Sequence, residues 1–139
     1  LNTAVIENKT PILGICLGLQ LMANHSQEGD SKGFGWLDAD VVRFRIKNKS
    51  RFKVPHMGWN TIRQTKPSKL FEGEETNQEF YFVHTFHINA YDNSQVLNYT
   101  QYEYEFPSAM EKENIYGVQY HPEKSHEYGE NILMNFSTL

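Results

Sequence analysis

Gly14-Ile15-Cys16-Leu17-Gly18 places a thiol midway between two glycines. That is the spacing of a nucleophile elbow, with cysteine where hydrolases usually carry serine. A strand that turns abruptly into a helix holds its nucleophile in strained backbone geometry, and side chains two residues to either side would meet the turn. Glycine at both places is predicted to remove those collisions. The helix N-terminus is predicted to favour the thiolate of Cys16, and the Leu17 N–H is a candidate oxyanion donor. A buried structural cysteine is the plain alternative for the same residue.

A thiol that attacks a carbonyl needs a group to take its proton. His121-Pro122-Glu123 supplies an imidazole with a carboxylate two residues on and a proline stiffening the link. The carboxylate can hold one ring nitrogen while the other faces the sulfur, which makes nucleophile, base and orienter. A surface turn would read the same, so the pairing with Cys16 is what gives the motif chemical meaning. The other histidines read more simply. His84 and His87 are three apart, a spacing that a strand does not bring to one face, so no metal site is expected. His25 is predicted at a helix end on the surface, and His126 in a helix first turn.

These groups need elements to position them. Asn2 to Asn8 reads as the tail of a helix, stopped by Lys9-Thr10-Pro11. The apolar run Ile12-Leu13-Gly14-Ile15 suits a strand covered on both faces, and Leu17, Leu21 and Met22 follow at helical spacing. Gly29 to Gly35 is predicted to be a loop, Val41 to Arg45 a strand, and Lys47 to Lys53 a basic loop. Val54 to Ile62 is predicted to be extended and Lys66 to Gln78 loop-rich. Phe80 to His84 and Val96 to Tyr102 are β-branched and aromatic, hence strands. Pro107 to Met110 and Ile115 to Tyr120 form a predicted hairpin pair. Ser125 is placed as the cap of a closing helix with Ile132, Leu133 and Phe136 on one face. This order predicts an α/β fold with a mixed sheet.

Composition narrows the function. At 139 residues with 39% hydrophobic residues, the chain can build one core, which argues against disorder. A formal charge of -4 has the wrong sign for a phosphate-backbone partner, so no nucleic acid is expected. No apolar run is long enough for a bilayer span, and no membrane association is expected. One cysteine leaves no disulfide framework. The expected compartment is cytoplasmic.

The order Gly-x-Cys-x-Gly, strand-rich middle, His-Pro-Glu and final helix resembles the class I (triad) glutamine amidotransferases. Val54-Pro55-His56-Met57-Gly58-Trp59-Asn60, Tyr81-Phe82-Val83-His84-Thr85-Phe86 and Gln119 to Ser125 look like the glutaminase subunits of imidazole glycerol phosphate synthase. The resemblance runs from Pro11 to the C-terminus. It implies a three-layer α/β/α fold with a mixed, largely parallel, flavodoxin-like sheet. Residues 1–139 then form a single glutamine amidotransferase domain lacking its N-terminal portion, with the first strands and the second oxyanion donor expected outside them.

The implied chemistry is glutamine hydrolysis to glutamate and ammonia through a thioester. Cys16 would be nucleophile, His121 base and Glu123 its orienter, with the Leu17 N–H in the oxyanion hole. Gln20, Glu28, Tyr81 and Thr85 match substrate-binding positions, and no cofactor is implied. His56, Met57, Trp59 and Asn60 match an interface, and Lys124 its gate, toward a (β/α)₈-barrel cyclase in a heterodimer of histidine biosynthesis. A paralogous glutaminase feeding a sugar amidotransferase, a catalytically silent docking subunit and a cysteine peptidase are the competing readings.

Overall fold

The structure is a computed structural model and describes residues 1–75 and 77–139. Along the chain run β1 (Ile12–Ile15), α1 (Leu17–Leu21), β2 (His25–Ser26), β3 (Ser31–Lys32), β4 (Ala39–Arg43) and β5 (His56–Thr61). They are followed by β6 (Arg63–Gln64), β7 (Glu79–His84), β8 (Phe86–Ala90), β9 (Val96–Gln101), β10 (Glu105–Lys112), β11 (Ile115–Val118) and α2 (His126–Ser137).

The largest sheet has the order β1-β11-β10-β9-β6. β1 and β11 run parallel, with Ile12 opposite Ile115 and Ile15 opposite Val118. The remaining pairs of this sheet are antiparallel, as the short connections from β9 to β10 and from β10 to β11 require for those two pairs. A second sheet, β3-β2-β4-β8, is also mixed, and β5 and β7 form an antiparallel ribbon. The mixed α/β class is the one predicted. Its parallel part is confined to two pairs, β1 with β11 and β2 with β4, so antiparallel pairing predominates among the described strands.

Strand alternation builds the three layers. Leu13, Ile15, Tyr116 and Val118 face one side of the large sheet, in a core with Phe80, Phe82, Tyr120 and Ile132 of α2. Ile12 and Ile115 face the other side with Leu19 of α1 and Met110. α1 lies so close to this side that a Cβ at Gly14 would stand 2.6 Å from the backbone of Gly18. A Cβ at Gly117 would stand 2.4 Å from the Leu19 side chain. Nothing lies within 4 Å of a Cβ built at Gly18, so the predicted need for space holds for the first glycine of the elbow and not for the second.

Several local expectations are corrected. Asn2 to Asn8 holds a π-helical turn, Thr3–Glu7. Short 3₁₀ turns interrupt two of the three predicted loops, at Glu28–Asp30 and Lys69–Phe71, and part of the Lys66 to Gln78 prediction, residue 76, lies outside the described residues. β8 was missed because its alternation is brief and polar residues interrupt it. Ser125 makes no side-chain cap on α2. Its hydroxyl instead donates to the His121 carbonyl at 2.6 Å and accepts from the Tyr81 N–H at 3.0 Å. Ile132 and Phe136, four apart, face the core, whereas Leu133 turns outward because one residue rotates a helix by about 100°.

Candidate active site

β1 ends at Ile15 and α1 begins at Leu17, so one residue makes the whole turn. Cys16 makes it with φ 52° and ψ -104°, a backbone geometry that costs a non-glycine residue on the order of 1–3 kcal/mol. Its N–H donates to the Val118 carbonyl at 2.8 Å, tying the elbow to the end of β11. The parallel register therefore brings Cys16 beside Gln119, and the chain beyond β11 carries His121 to the same edge. Ligands of open α/β sheets bind at this edge, outside the carboxyl ends of parallel strands.

The sulfur accepts a hydrogen bond from Gln119 Nε2 at 3.5 Å. That bond and the Leu17 N–H both favour the thiolate, but burial outweighs them and pushes the Cys16 thiol up. The negative charges of Glu123 and Glu28 act in the same direction as burial. The predicted bias of the helix N-terminus toward the thiolate is thus outweighed: the short α1 and two amide hydrogen bonds do not repay desolvation. Attack by this sulfur requires a base.

His121 has the arrangement such a base needs. Its Nδ1–H donates to Glu123 Oε1 at 2.6 Å, while Nε2 is buried without a hydrogen-bond partner. Backbone contacts fix the motif from several directions. The His121 N–H donates to the Tyr81 carbonyl at 2.9 Å, and Ser125 holds the His121 carbonyl. α2 closes on the turn at Gly129, where a Cβ would stand 1.8 Å from the Pro122 oxygen.

A cleft of 350 Å³ opens over the elbow, lined by Cys16, Leu17, Gln20, Glu28, Pro55, Val83, His84, Thr85 and Phe86. Four predicted site positions, Leu17, Gln20, Glu28 and Thr85, thus surround Cys16. Gln20 is buried, and its Nε2 donates to the Phe86 carbonyl and to Gln119 Oε1, each at 3.2 Å. Tyr81 does not join the lining. Its ring faces Trp59, 5.9 Å between centroids, and lies 5.9 Å from Lys124 Nζ.

The predicted interface group divides by strand parity. Met57 and Trp59 point outward from β5, exposed by 61% and 48%, and His126 stacks on Trp59. His56 points inward and is buried, and the half-buried Asn60 spends its amide on His56 Nε2 and the Gln101 carbonyl. Inclusion of His56 and Asn60 in a contact surface is therefore corrected, because alternate residues of a strand face opposite ways. Sequence reasoning assigned no role to Gln119, which the parallel register alone reveals. His84 ends β7, as the predicted strand Phe80 to His84 has it, and His87 lies on β8, with both rings against Phe44. Among the described residues no cluster of His, Cys, Asp and Glu is fit to hold a metal. His25 lies on β2 and pairs with Asp30.

Glutamine amidotransferase class-I, as a family, matches residues 1–138. The chain belongs to the class-I glutamine amidotransferase family. It is 48% identical over 136 residues to imidazole glycerol phosphate synthase subunit HisH 2 of Methanococcus maripaludis, covering 98% of this chain and 66% of that protein. It is 43% identical to the HisH subunit of Bdellovibrio bacteriovorus, covering 100% of this chain and 69% of that protein. The chain thus spans about two thirds of the length of these curated relatives. A glutamine amidotransferase from Thermotoga maritima shares the fold at a TM-score of 0.64 and 17% identity, over 96% of this chain and 50% of that one.

Burial of histidine in this amidotransferase chain has a measurable consequence. Desolvation lowers His56 to about 4 and His84 to about 3 from an ordinary 6.5. Unfolding lets both rings take up protons as pH falls below 6.5, while the folded protein does not. The stability they lend is therefore full above pH 6.5 and is lost as pH falls toward those values, about 2 kcal/mol for each ring by pH 5. Melting temperature should fall steeply between pH 7 and 5. A flat curve over that interval would contradict neutral burial of these rings.

Proposed function

We propose that the full-length protein is a glutaminase that hydrolyses glutamine to glutamate and ammonia. His121 Nε2 takes the Cys16 thiol proton as the sulfur adds to the side-chain carbonyl carbon of glutamine. The Leu17 N–H leaves the sulfur and donates to the oxyanion of the tetrahedral intermediate. Collapse breaks the C–N bond, and the imidazolium gives its proton to the leaving nitrogen, which departs as ammonia. Water, deprotonated by the same Nε2, then cleaves the thioester to glutamate and restores the thiol. Glu123 steadies the imidazolium in both halves. Gln20, Glu28 and Thr85 hold the substrate in the cleft, with no metal or cofactor taking part. The observation that carries this reading is His121: one nitrogen held by Glu123, the other buried and unpartnered, at the sheet edge that presents the cysteine elbow.

Ammonia released into neutral water is protonated and loses its nucleophilic lone pair, so the product needs direct transfer. The relatives' names as subunits of imidazole glycerol phosphate synthase support a cyclase partner. We assign that partner a (β/α)₈ barrel, in a cytoplasmic heterodimer with lyase chemistry on the cyclase side. Met57 and Trp59 form an apolar exposed face suited to it, on the same ribbon whose Val83 lines the cleft, with Lys124 and Tyr81 beside them. The test is glutamine hydrolysis by the full-length protein with and without a histidine-pathway cyclase. At least tenfold stimulation is expected, and Trp59→Ala should remove it at partner concentrations that saturate the parent protein. Absence of stimulation would move the assignment to a sugar-modifying amidotransferase.

A further inference from the structure

Gln20 of the substrate cleft and several buried polar groups that have no step in the reaction join into one directed chain. The Phe86 carbonyl can only accept, so the two atoms that meet it must carry protons: His84 Nδ1 at 2.7 Å and Gln20 Nε2 at 3.2 Å. Two consequences follow, one on each side of this carbonyl.

On the histidine side, a proton on Nδ1 leaves Nε2 of neutral His84 as an acceptor. His56 Nδ1 therefore donates to it at 2.9 Å, and His56 Nε2 accepts from the Asn60 amide at 3.2 Å. Asn60 Oδ1 is engaged in turn by the Thr61 N–H at 2.8 Å. Each tautomer is thereby determined. Burial keeps both rings neutral, so the direction of the chain does not alternate at ordinary pH.

On the sulfur side, Gln20 presents its NH₂ group to Gln119, and the atom receiving it at 3.2 Å must be the carbonyl oxygen. The amide of Gln119 then has one remaining end, its NH₂, and that end points at Cys16 Sγ. Turned over, the same amide would set an oxygen lone pair against the sulfur and oppose the thiolate. The polarity of Gln119 thus depends on a carbonyl two links away.

We infer that His84 is a positioning residue for Cys16: its Nδ1–H fixes the Phe86 carbonyl, that carbonyl orients the Gln20 amide, and Gln20 in turn sets the amide of Gln119 with its N–H groups toward the sulfur. The role deepens the glutaminase reading and rests on it for its biological purpose. The geometry it describes concerns the thiol itself. The charged groups acting on Cys16, Glu123 and Glu28, lie outside the chain, and both oppose ionisation.

The experiment is the pH dependence of iodoacetamide alkylation at Cys16 in the full-length protein, resolved by mass spectrometry of the Cys16 peptide. His84→Gln cannot place its amide at the Nδ1 position, and the alkylation midpoint is expected to rise by about one pH unit, the lower end of what a hydrogen bond to a charged group supplies. His84→Asn retains a donor at that position and should keep the parent midpoint. Gln20→Met breaks the chain one link from Gln119 without touching the histidines, and it should raise the midpoint as His84→Gln does. The combined variant should rise no further. A purely structural role for His84 would lower the melting temperature of both His84 variants and leave every midpoint in place, which overturns the inference. So would a Gln20→Met protein with the parent midpoint, whether or not the His84 variants fold. Glutamine turnover is not part of this readout, so a protein with the shifts but no glutaminase activity would sink only the functional reading.

Discussion

Cys16→Ala is expected to reduce glutamine hydrolysis to background, a loss of roughly 10⁴-fold or more, with the melting temperature unchanged. The alanine Cβ keeps the backbone demands of the elbow as they are, so the fold has no reason to respond. The reaction does, because no other cysteine occurs in the chain to replace the nucleophile. His121→Asn should cost a comparable factor. Its partner thiol is raised by burial and by two neighbouring carboxylates, so the sulfur of the variant stays protonated with nothing to deprotonate it. Because the two groups act in one step, the double variant should be no slower than the slower single variant. Measured kcat/KM values decide the matter. A His121→Asn protein within about tenfold of the parent would remove the imidazole from the mechanism, since general-base catalysis supplies at least 10²-fold.

Gly14→Ala should destabilise the protein by about 3 kcal/mol or more, while Gly18→Ala should be neutral or stabilising by up to about 1 kcal/mol. The methyl group at residue 14 would lie 2.6–2.7 Å from Gly18 C, Gly18 O and Leu19 N, all backbone atoms that cannot swing aside. Relief requires α1 to lift from β1, and the helix is held there by buried Leu19 and by the facing Gly117. At residue 18 a methyl group meets open space, and alanine is the better helix former. Thermal or urea unfolding of the two variants reads the difference directly. Equal destabilisation would mean that turn geometry, and not the approach of helix to sheet, sets the need for glycine.

That contrast shows how far local reasoning reaches. The symmetric glycine motif suggested one cause for both glycines. The fold gives Gly14 a cause and gives Gly18 none, because the crowding arises between β1 and the helix that folds back over it. Ser125 makes the same point. Its position before α2 suits a cap, yet its hydroxyl is taken by the two backbone groups that hold His121 against β7.

The sequence by itself determined which residues are the candidates for nucleophile, proton acceptor and orienting carboxylate, because each lies in a motif of a few residues whose spacing suggests its chemistry. It also determined most strands, since apolar alternation is local. Only the tertiary structure decided that Gln119 stands against the sulfur, that His84 reaches Gln20 through a carbonyl, and that His56 and Asn60 turn inward while Met57 and Trp59 turn out. The protonation of Cys16 belongs to the same group. These depend on which residues a parallel register sets side by side across about a hundred positions, and on how much water the packed layers exclude, and neither quantity is written in any short stretch of chain.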